Sequence, residues 1–289
     1  MRSMLFVPGD RPERFPKAIA SGADALILDL EDAVAPERRE YARGCIREFL
    51  VATERRAPCW VRVNPVDSGN ALADLAAVMP GRPAGIVLPK TRSVLDLQRA
   101  DHWLEACEAV NGIEAGATAL MPLVTETAAS VLRMAEYLSL PARVSALTWG
   151  AEDLAADLGA LGNRNADGDF ESPYVLARTL CLYAAAGAGV MPIDTVDTEI
   201  RDTAAVGRRA RESRRQGFVG KLAIHPAQIP SIHEAFTPSS EETAWAERVL
   251  AAFAAQPGVG VLSLDGRMLD RPHLRQAERV LAARRAAGV

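Results

Sequence analysis

Short apolar runs recur along this chain, separated by stretches of helix length in which apolar residues return every three or four positions. The runs cover residues 4–7, 25–30, 60–63, 85–88, 119–124, 144–147, 190–193 and 222–224. Each has the length and continuity of a strand buried on both faces. Helical periodicity fits the intervals at 12–21, 37–54, 70–79, 93–110, 127–138, 174–187 and 198–214. Strands alternating with helices argue for a parallel sheet of βαβ units. Eight such units over roughly 225 residues predict an α/β fold, a (β/α)₈ TIM-type barrel of the usual size. A doubly wound open sheet is the competing architecture. The chain has neither GxGxxG nor GxxxxGK[ST], which removes the usual reason to prefer a nucleotide-binding sheet.

The two middle runs set up the first candidate site. The run at 119–124 ends in Thr125-Glu126-Thr127, and the run at 144–147 leads to Gly150-Ala151-Glu152-Asp153. Between them Val131, Leu132, Ala135 and Leu138 have helical spacing. A strand–helix–strand unit makes the strands parallel, with their C-terminal ends facing the same way. Glu126 and Asp153 then share one rim. Two carboxylates there suit a hard cation such as Mg²⁺, which keeps its other positions for water and substrate. Both acids also stand where a helix N-terminus favours a carboxylate for its dipole alone. Spacing does not separate these readings.

In such barrels chemistry gathers at the C-terminal strand ends. The residues expected there are Pro8-Gly9-Asp10-Arg11, then Asp29, Glu31 and Asp32, then Arg62 and Asn64, then Lys90, Glu126, Asp153, Asp194 and His225. Trp149 is either a wall of the substrate pocket or a core aromatic. His102, His233 and His273 lie in polar helical surroundings and receive no role. Residues 157–173, rich in Gly, Asn and Asp, read as a long loop. The loop lacks the glutamate that an EF-hand calcium loop requires. After His225 the pattern changes to a helix, an N-cap at 237–242 and a helix at 240–255. A hairpin around Asp265-Gly266 and a last helix at 272–286 follow. Residues 1–236 thus read as the barrel, and 237–289 as a lid or arm too small for a core of its own.

Composition narrows the classes further. The 289 residues are 49% hydrophobic and 24% charged, with a net charge of −4, an ordinary globular balance. It offers no general attraction for nucleic acid or an anionic membrane. No apolar stretch approaches the roughly 18 residues of a membrane span. The start, MRSMLFVPGDRPERF, is broken by Pro8, Gly9 and charges too early for a signal peptide. Cys45, Cys59, Cys107 and Cys181 show no paired spacing and read as reduced thiols of a cytoplasmic protein. Of 33 basic residues only Lys17, Lys90 and Lys221 are lysines.

Eight segments in order carry a resemblance: RSMLFVPGDRPERFPKA (2–18), DALILDLEDAVAP (24–36), WVRVNP (60–65), GIVLPKT (85–91), PLVTET (122–127), GAEDLAADLG (150–159), GKLAIHPAQI (220–229) and DGRMLDRP (265–272). Together they resemble the citrate lyase beta-chain-like (CitE-like) branch of the HpcH/HpaI aldolase superfamily, which includes malyl-CoA and citramalyl-CoA lyases. The resemblance implies a modified (β/α)₈ barrel, a homotrimer or hexamer, and a C-terminal segment reaching a neighbouring subunit. It implies Mg²⁺, with Mn²⁺ as a substitute, held by Glu126 and Asp153. It matches Arg62 to the arginine that binds the substrate's oxygens. Asp270 matches an acid/base that the family inserts from the adjacent subunit. Phe6, Arg14, Lys17, Arg38, Ile224 and His225 fall in or near segments that contact CoA, and Asp29, Glu31 and Asp32 would orient Arg62 and metal-bound water.

The chemistry so implied is cleavage or condensation of a 3-hydroxyacyl-CoA such as malyl-, citramalyl- or citryl-CoA. Cleavage gives acetyl-CoA, or a related acyl-CoA, and a 2-oxo acid. A thioesterase outcome is compatible with the same residues. The alternatives are a citrate lyase beta subunit acting on an acyl-carrier-protein thioester, a CoA-independent 4-hydroxy-2-oxo acid aldolase, and a non-catalytic CoA-ester-binding barrel. Within the chain, Arg62 could simply pair with Asp29 or Glu31. Asp270 could be the N-cap of the last helix.

Overall fold

The computed structural model describes residues 1–52 and 57–288. Eight parallel strands form its centre: β1 (Ser3–Pro8), β2 (Ala25–Asp29), β3 (Cys59–Arg62), β4 (Gly85–Leu88), β5 (Ala119–Pro122), β6 (Ala146–Leu147), β7 (Met191–Asp194) and β8 (Gly220–Ala223). Their order is β5-β4-β3-β2-β1-β8-β7-β6. Parallel bridges at Leu120–Val144 and Leu123–Thr148 join the two ends of that order. The sheet therefore curls into the expected (β/α)₈ barrel instead of staying open.

Successive residues of each strand face two different apolar layers, as the pleat requires. Met4, Ile27, Trp60, Val87, Met121 and Ile193 belong to one cluster, which fills the barrel. Leu5, Leu26, Leu28, Val61, Ile86 and Leu120 belong to a larger one between strands and helices. This parity places the side chains of Asp29 and Arg62 on the barrel's interior face, in step with Ile27 and Trp60.

The helices are α1 (Phe15–Ala20), α2 (Arg39–Val51), α3 (Ala71–Val78), α4 (Val94–Val110), α5 (Ala128–Leu132), α6 (Ala151–Leu158), α7 (Ser172–Ala188), α8 (Thr203–Gln216), α9 (Ile229–Phe236), α10 (Ser240–Ala254) and α11 (Arg271–Ala286). Residues 53 and 54, the last two expected in the 37–54 helix, lie outside the described residues. Among the described residues, no helix is long and apolar enough to cross a membrane.

Several expectations shift. The 127–138 segment is the short α5 followed by a 3₁₀ turn, Met134–Leu138. Its buried residues are Ser130, Met134 and Tyr137, while Leu132 and Leu138 are exposed. The apolar spacing at 131–138 was therefore no guide to the inner face. Thr127 accepts a hydrogen bond from the Ser130 amide at 3.1 Å and starts α5 there. The expected loop at 157–173 begins later, because α6 runs through Leu158 and ends at the left-handed Gly159. The 198–214 helix starts only at Thr203, where the Asp202 side chain accepts from the Ala205 amide at 2.8 Å.

The tail, expected to lack a core, has a small one. A hairpin of β9 (Val261–Leu264) and β10 (Arg267–Asp270) packs with α10 and α11 around Ala246, Val249, Leu262, Leu269 and Ala277. Trp245 and Phe253 pack against the same cluster. Aromatic burial lets so short a segment close on itself.

Candidate active site at the barrel mouth

The motif after β1 is held by a close approach. Gly9 donates its N–H to the Asp29 carbonyl at 2.8 Å, and a Cβ there would come within 2.5 Å of that oxygen. Only glycine lets the loop after β1 lie so tightly on the end of β2. Asp29, at that strand end, accepts the main-chain N–H groups of Glu31 and Ala33 at 3.0 and 3.1 Å. It also receives both sides of the Arg62 fork, Nε to Oδ1 at 2.7 Å and Nη2 to Oδ2 at 2.6 Å. Arg62 Nη1 lies 3.0 Å from Glu31 Oε2 and 3.9 Å from Asp32 Oδ2. The Phe6 ring lies beneath, 4.8 Å from the guanidinium carbon. Burial opposes the charge of Arg62, but Asp29, Glu31 and Glu126 more than offset it and hold the group protonated.

Glu126 and Asp153 do converge, and Lys90 joins them. Its main-chain N–H donates to Glu126 Oε2 at 2.5 Å. Its ammonium lies 3.1 Å from Asp153 Oδ1, donates to both Asp32 oxygens at 3.1 Å and contacts Glu31 Oε1 more closely still. Lys90 has φ +50°, a left-handed conformation uncommon outside glycine. That turn sends its N–H toward the end of β5 while the side chain runs to the loop after β2.

Glu126 is 2% exposed. Burial first, then the neighbouring Asp153, push its carboxyl well above the usual range. Glu31 is pushed up to about 7, chiefly by burial, with Arg62 and Lys90 opposing the rise. Asp32 is held below its usual value by Lys90 and then Arg62, against its partial burial. The mouth thus gathers five carboxylates (Asp29, Glu31, Asp32, Glu126, Asp153) around Arg62 and Lys90.

This donor set fits a hard divalent cation. Gly150 leaves the room that Glu126 occupies, since a Cβ there would lie 2.7 Å from Glu126 Cγ and 2.9 Å from Oε1. A buried carboxylate whose charge is disfavoured by a second one gains most from a cation between them. Among the described residues no three or more His, Cys, Asp or Glu side chains come together as a group that could hold a metal ion. Two carboxylates suit a cation that leaves its remaining positions to water and substrate. Asp153 lies in the first turn of α6 rather than on a strand end, so the dipole reading holds for it together with the Lys90 contact.

Other expected residues lie elsewhere. Asp194 faces the helix layer: it accepts from Trp149 Nε1 at 2.7 Å, Ser213 Oγ at 2.6 Å and Arg178 Nε at 3.1 Å, and lies 3.3 Å from Lys221 Nζ. Trp149 is fully buried and belongs to the cluster between strands and helices, so it is a core aromatic and does not wall the mouth. Asp270 is the N-cap residue of α11, 2.6 Å from His273 Nδ1. His273, given no role from sequence, thus holds the expected acid/base. His233 is also engaged, at 2.7 Å from Ser3 Oγ and 3.3 Å from Asp24. Arg14 and Lys17 are exposed on the first helical turns. Arg38 donates to Asp10 at 2.6 Å and packs over Tyr41. The Ile224 amide donates to Gln228 Oε1 at 2.9 Å, and His225 Nδ1 accepts from the Ala227 amide at 3.2 Å. Lys90, expected at the mouth and weighed from sequence only as a disfavoured Schiff-base lysine, is the residue that sequence reasoning undervalued. Its rarity as one of three lysines was the available signal.

A closed parallel barrel with carboxylates and an arginine gathered at its C-terminal mouth has the architecture of a TIM-barrel enzyme. Residues 2–226 match the HpcH/HpaI aldolase/citrate lyase family, and residues 191–289 match a family described as a C–C bond lyase of the TIM-barrel fold. The chain belongs to the HpcH/HpaI aldolase/citrate lyase family. It is 37% identical over 277 residues to a citrate lyase subunit beta-like protein of Mycobacterium tuberculosis, covering 96% of this chain and 93% of the relative. Citrate lyase subunit beta of Escherichia coli is 33% identical, covering 100% and 94%. The mitochondrial citramalyl-CoA lyase of Rattus norvegicus is 32% identical, covering 97% and 85%. Among solved structures, CitE of M. tuberculosis in complex with magnesium, acetoacetate and coenzyme A superposes with a TM-score of 0.82. That pair is 34% identical, covering 98% of this chain and 97% of the other.

Proposed function

We propose that this chain is a Mg²⁺-dependent carbon–carbon lyase acting on a 3-hydroxyacyl thioester of CoA, of the malyl-, citramalyl- or citryl-CoA kind. The observation that carries the reading is the convergence of Glu126 and Asp153 on Lys90, beside an Arg62 locked by Asp29. Glu126 and Asp153 would hold the metal, which supplies Lewis-acid stabilisation of oxygen charge when bound. Arg62 stays ionised, with Nε and Nη2 committed to Asp29 and Nη1 3.0 Å from Glu31 Oε2, and Nη1 would be its fixed donor to a carboxylate or a developing oxyanion. Phe6 and Asp29 hold the plane of that fork, so little reorganisation is needed as charge develops. Asp29, Glu31 and Asp32 set the position of Arg62 and Lys90.

Loss of the hydroxyl proton to a base as the C–C bond breaks yields a 2-oxo acid and a thioester enolate, whose carbon must then be protonated. Asp270 is the candidate acid, and in the condensing direction the base that takes the α-proton. Its partners in this chain are of its own tail, which supports delivery to the mouth of a neighbouring subunit in a homotrimer or hexamer. Arg14, Lys17 and Arg38, with the Ile224-His225 turn, are proposed to meet the CoA moiety. The test is a coupled assay with Mg²⁺ on malyl-, citramalyl- and citryl-CoA, with and without EDTA. EDTA-sensitive release of acetyl-CoA and a 2-oxo acid, lost in Glu126→Ala and Asp153→Ala, is expected. Turnover that survives both substitutions would remove the metal-site assignment. Turnover only of a carrier-protein thioester would move the reading to a citrate lyase beta subunit, which the full-length match to the E. coli subunit also supports.

A further inference from the structure

We propose that Lys90 is a built-in counter-cation of this site, competing with the divalent metal for Asp153 and so keeping the affinity for metal alone low. The inference rests on the metal-site reading above and deepens it. An ammonium has three donors and no acceptor; that of Lys90 donates to Glu31 and Asp32 and forms an ion pair with Asp153 Oδ1 at 3.1 Å. Each of these is an anion that a divalent cation in the mouth would also attract. Asp29, by contrast, is committed to Arg62 on both oxygens. Glu126 receives only a main-chain N–H from Lys90. A cation seated between Glu126 and Asp153 must therefore share Asp153 with the ammonium and stand within a few ångströms of it. Like charges so close repel, and the partial burial of the Lys90 and Asp153 side chains leaves that repulsion less screened than at an open surface.

Two further observations support a built arrangement. The left-handed backbone at Lys90 is a strained conformation for a residue with a Cβ, and in it the same residue touches Glu126 through its amide and Asp153 through its ammonium. The side chain, half-buried, is held on three sides instead of extending into water. Lys90 also offsets the repulsion among the five carboxylates, which lets the mouth fold around them. An incoming 2-oxo acid would place an anionic group against both the metal and the ammonium, screen their mutual repulsion, and make metal binding tighter in its presence. Metal and anionic substrate then bind as partners.

The test is Mn²⁺ binding to the intact protein, by isothermal titration calorimetry and by electron paramagnetic resonance of the free ion. In Lys90→Met the main-chain amide to Glu126 is kept and the charge is lost, so Mn²⁺ should bind at least about tenfold tighter than in wild type. Added pyruvate should tighten binding in wild type and do so less in the variant. Lys90→Arg, which keeps the charge, should retain the weak wild-type affinity. If Lys90→Met fails to fold, as judged by circular dichroism, Lys90→Gln makes the same comparison. Unchanged or weaker Mn²⁺ binding in the folded neutral variant would overturn the proposal while leaving the metal site standing. Absence of Mn²⁺ binding in both wild type and the folded neutral variant, with and without pyruvate, would overturn both.

Discussion

Arg62 grips Asp29 by two parallel hydrogen bonds, Nε to Oδ1 at 2.7 Å and Nη2 to Oδ2 at 2.6 Å. This pair joins the ends of two neighbouring strands and fixes the plane of the guanidinium at the barrel mouth. The fork geometry is one that lysine does not reproduce. Arg62→Lys should keep the circular dichroism spectrum and lower kcat/KM by roughly 10²–10³, the usual cost of losing one preorganised oxyanion donor. Activity within a few-fold of wild type would make Arg62 a structural residue paired with Asp29 and nothing more.

Gly150 tests the cradle of Glu126 from the other side. A methyl group there would press on Glu126 Cγ and Oε1 from 2.7 and 2.9 Å. Gly150 has φ −124°, which any residue adopts, so the substitution acts through space and not through backbone strain. Gly150→Ala should weaken Mn²⁺ binding about tenfold or more while the protein still folds. Full metal affinity in that variant would mean that Glu126 is not a ligand.

Asp270 is the one expected catalytic group whose contacts lie in the tail. Asp270→Ala should reduce kcat more than it raises the Kd for a CoA ester. A change in affinity alone would make it a lid residue. Mixing inactive Asp270→Ala with inactive Glu126→Ala protein should restore partial turnover where sites are shared between subunits. No rescue despite demonstrated subunit exchange would place the whole site within one chain.

Asp194 anchors β7 to the helix layer through Trp149, Arg178, Ser213 and Lys221. Burial opposes its charge, but Lys221 and Arg178 hold its carboxyl far below the ordinary value of 3.8. A depressed folded-state pKa contributes stability that is present above the unfolded value and lost as pH falls toward the folded one. The contribution is therefore whole at neutral pH and declines only below about pH 3.8. Asp194→Asn leaves the buried Lys221 and the partly buried Arg178 without their carboxylate and should cost about 3–5 kcal/mol, read from the urea midpoint at pH 7. In this variant the stability difference from wild type should shrink in strong acid. A loss below about 1 kcal/mol would show the network to be loosely solvated.

Much of the fold was legible because a strand buried on both faces must be continuously apolar and a covering helix must repeat near 3.6. All eight strands fall within two residues of the runs that predicted them. Where the pattern misled, another force set the structure. Leu132 and Leu138 have helical spacing yet point outward, because the Thr127 cap and the 3₁₀ turn put Met134 and Tyr137 inside. The tail looked too short for a core, and packing around Trp245 and Phe253 gave it one.

At the site the division is sharper. The residue types at the barrel mouth, Asp29, Arg62, Glu126 and Asp153, were readable from the chain, since they lie at or shortly after the ends of apolar runs. Their sorting was not. Asp194 also ends a strand, but its side chain faces the helices, and Trp149 follows it there. One residue of register exchanges the inside of a barrel for its outside. The left-handed turn at Lys90 depends on contacts from three other segments, and no local signal in Leu88-Pro89-Lys90-Thr91 specifies it. The sequence by itself determined which elements form and which charges stand near their ends, because both are local properties of the chain. The tertiary structure alone decided which of those charges meet, because the closure of β5 on β6 brings Glu126, Asp153 and Lys90 together from positions far apart in sequence.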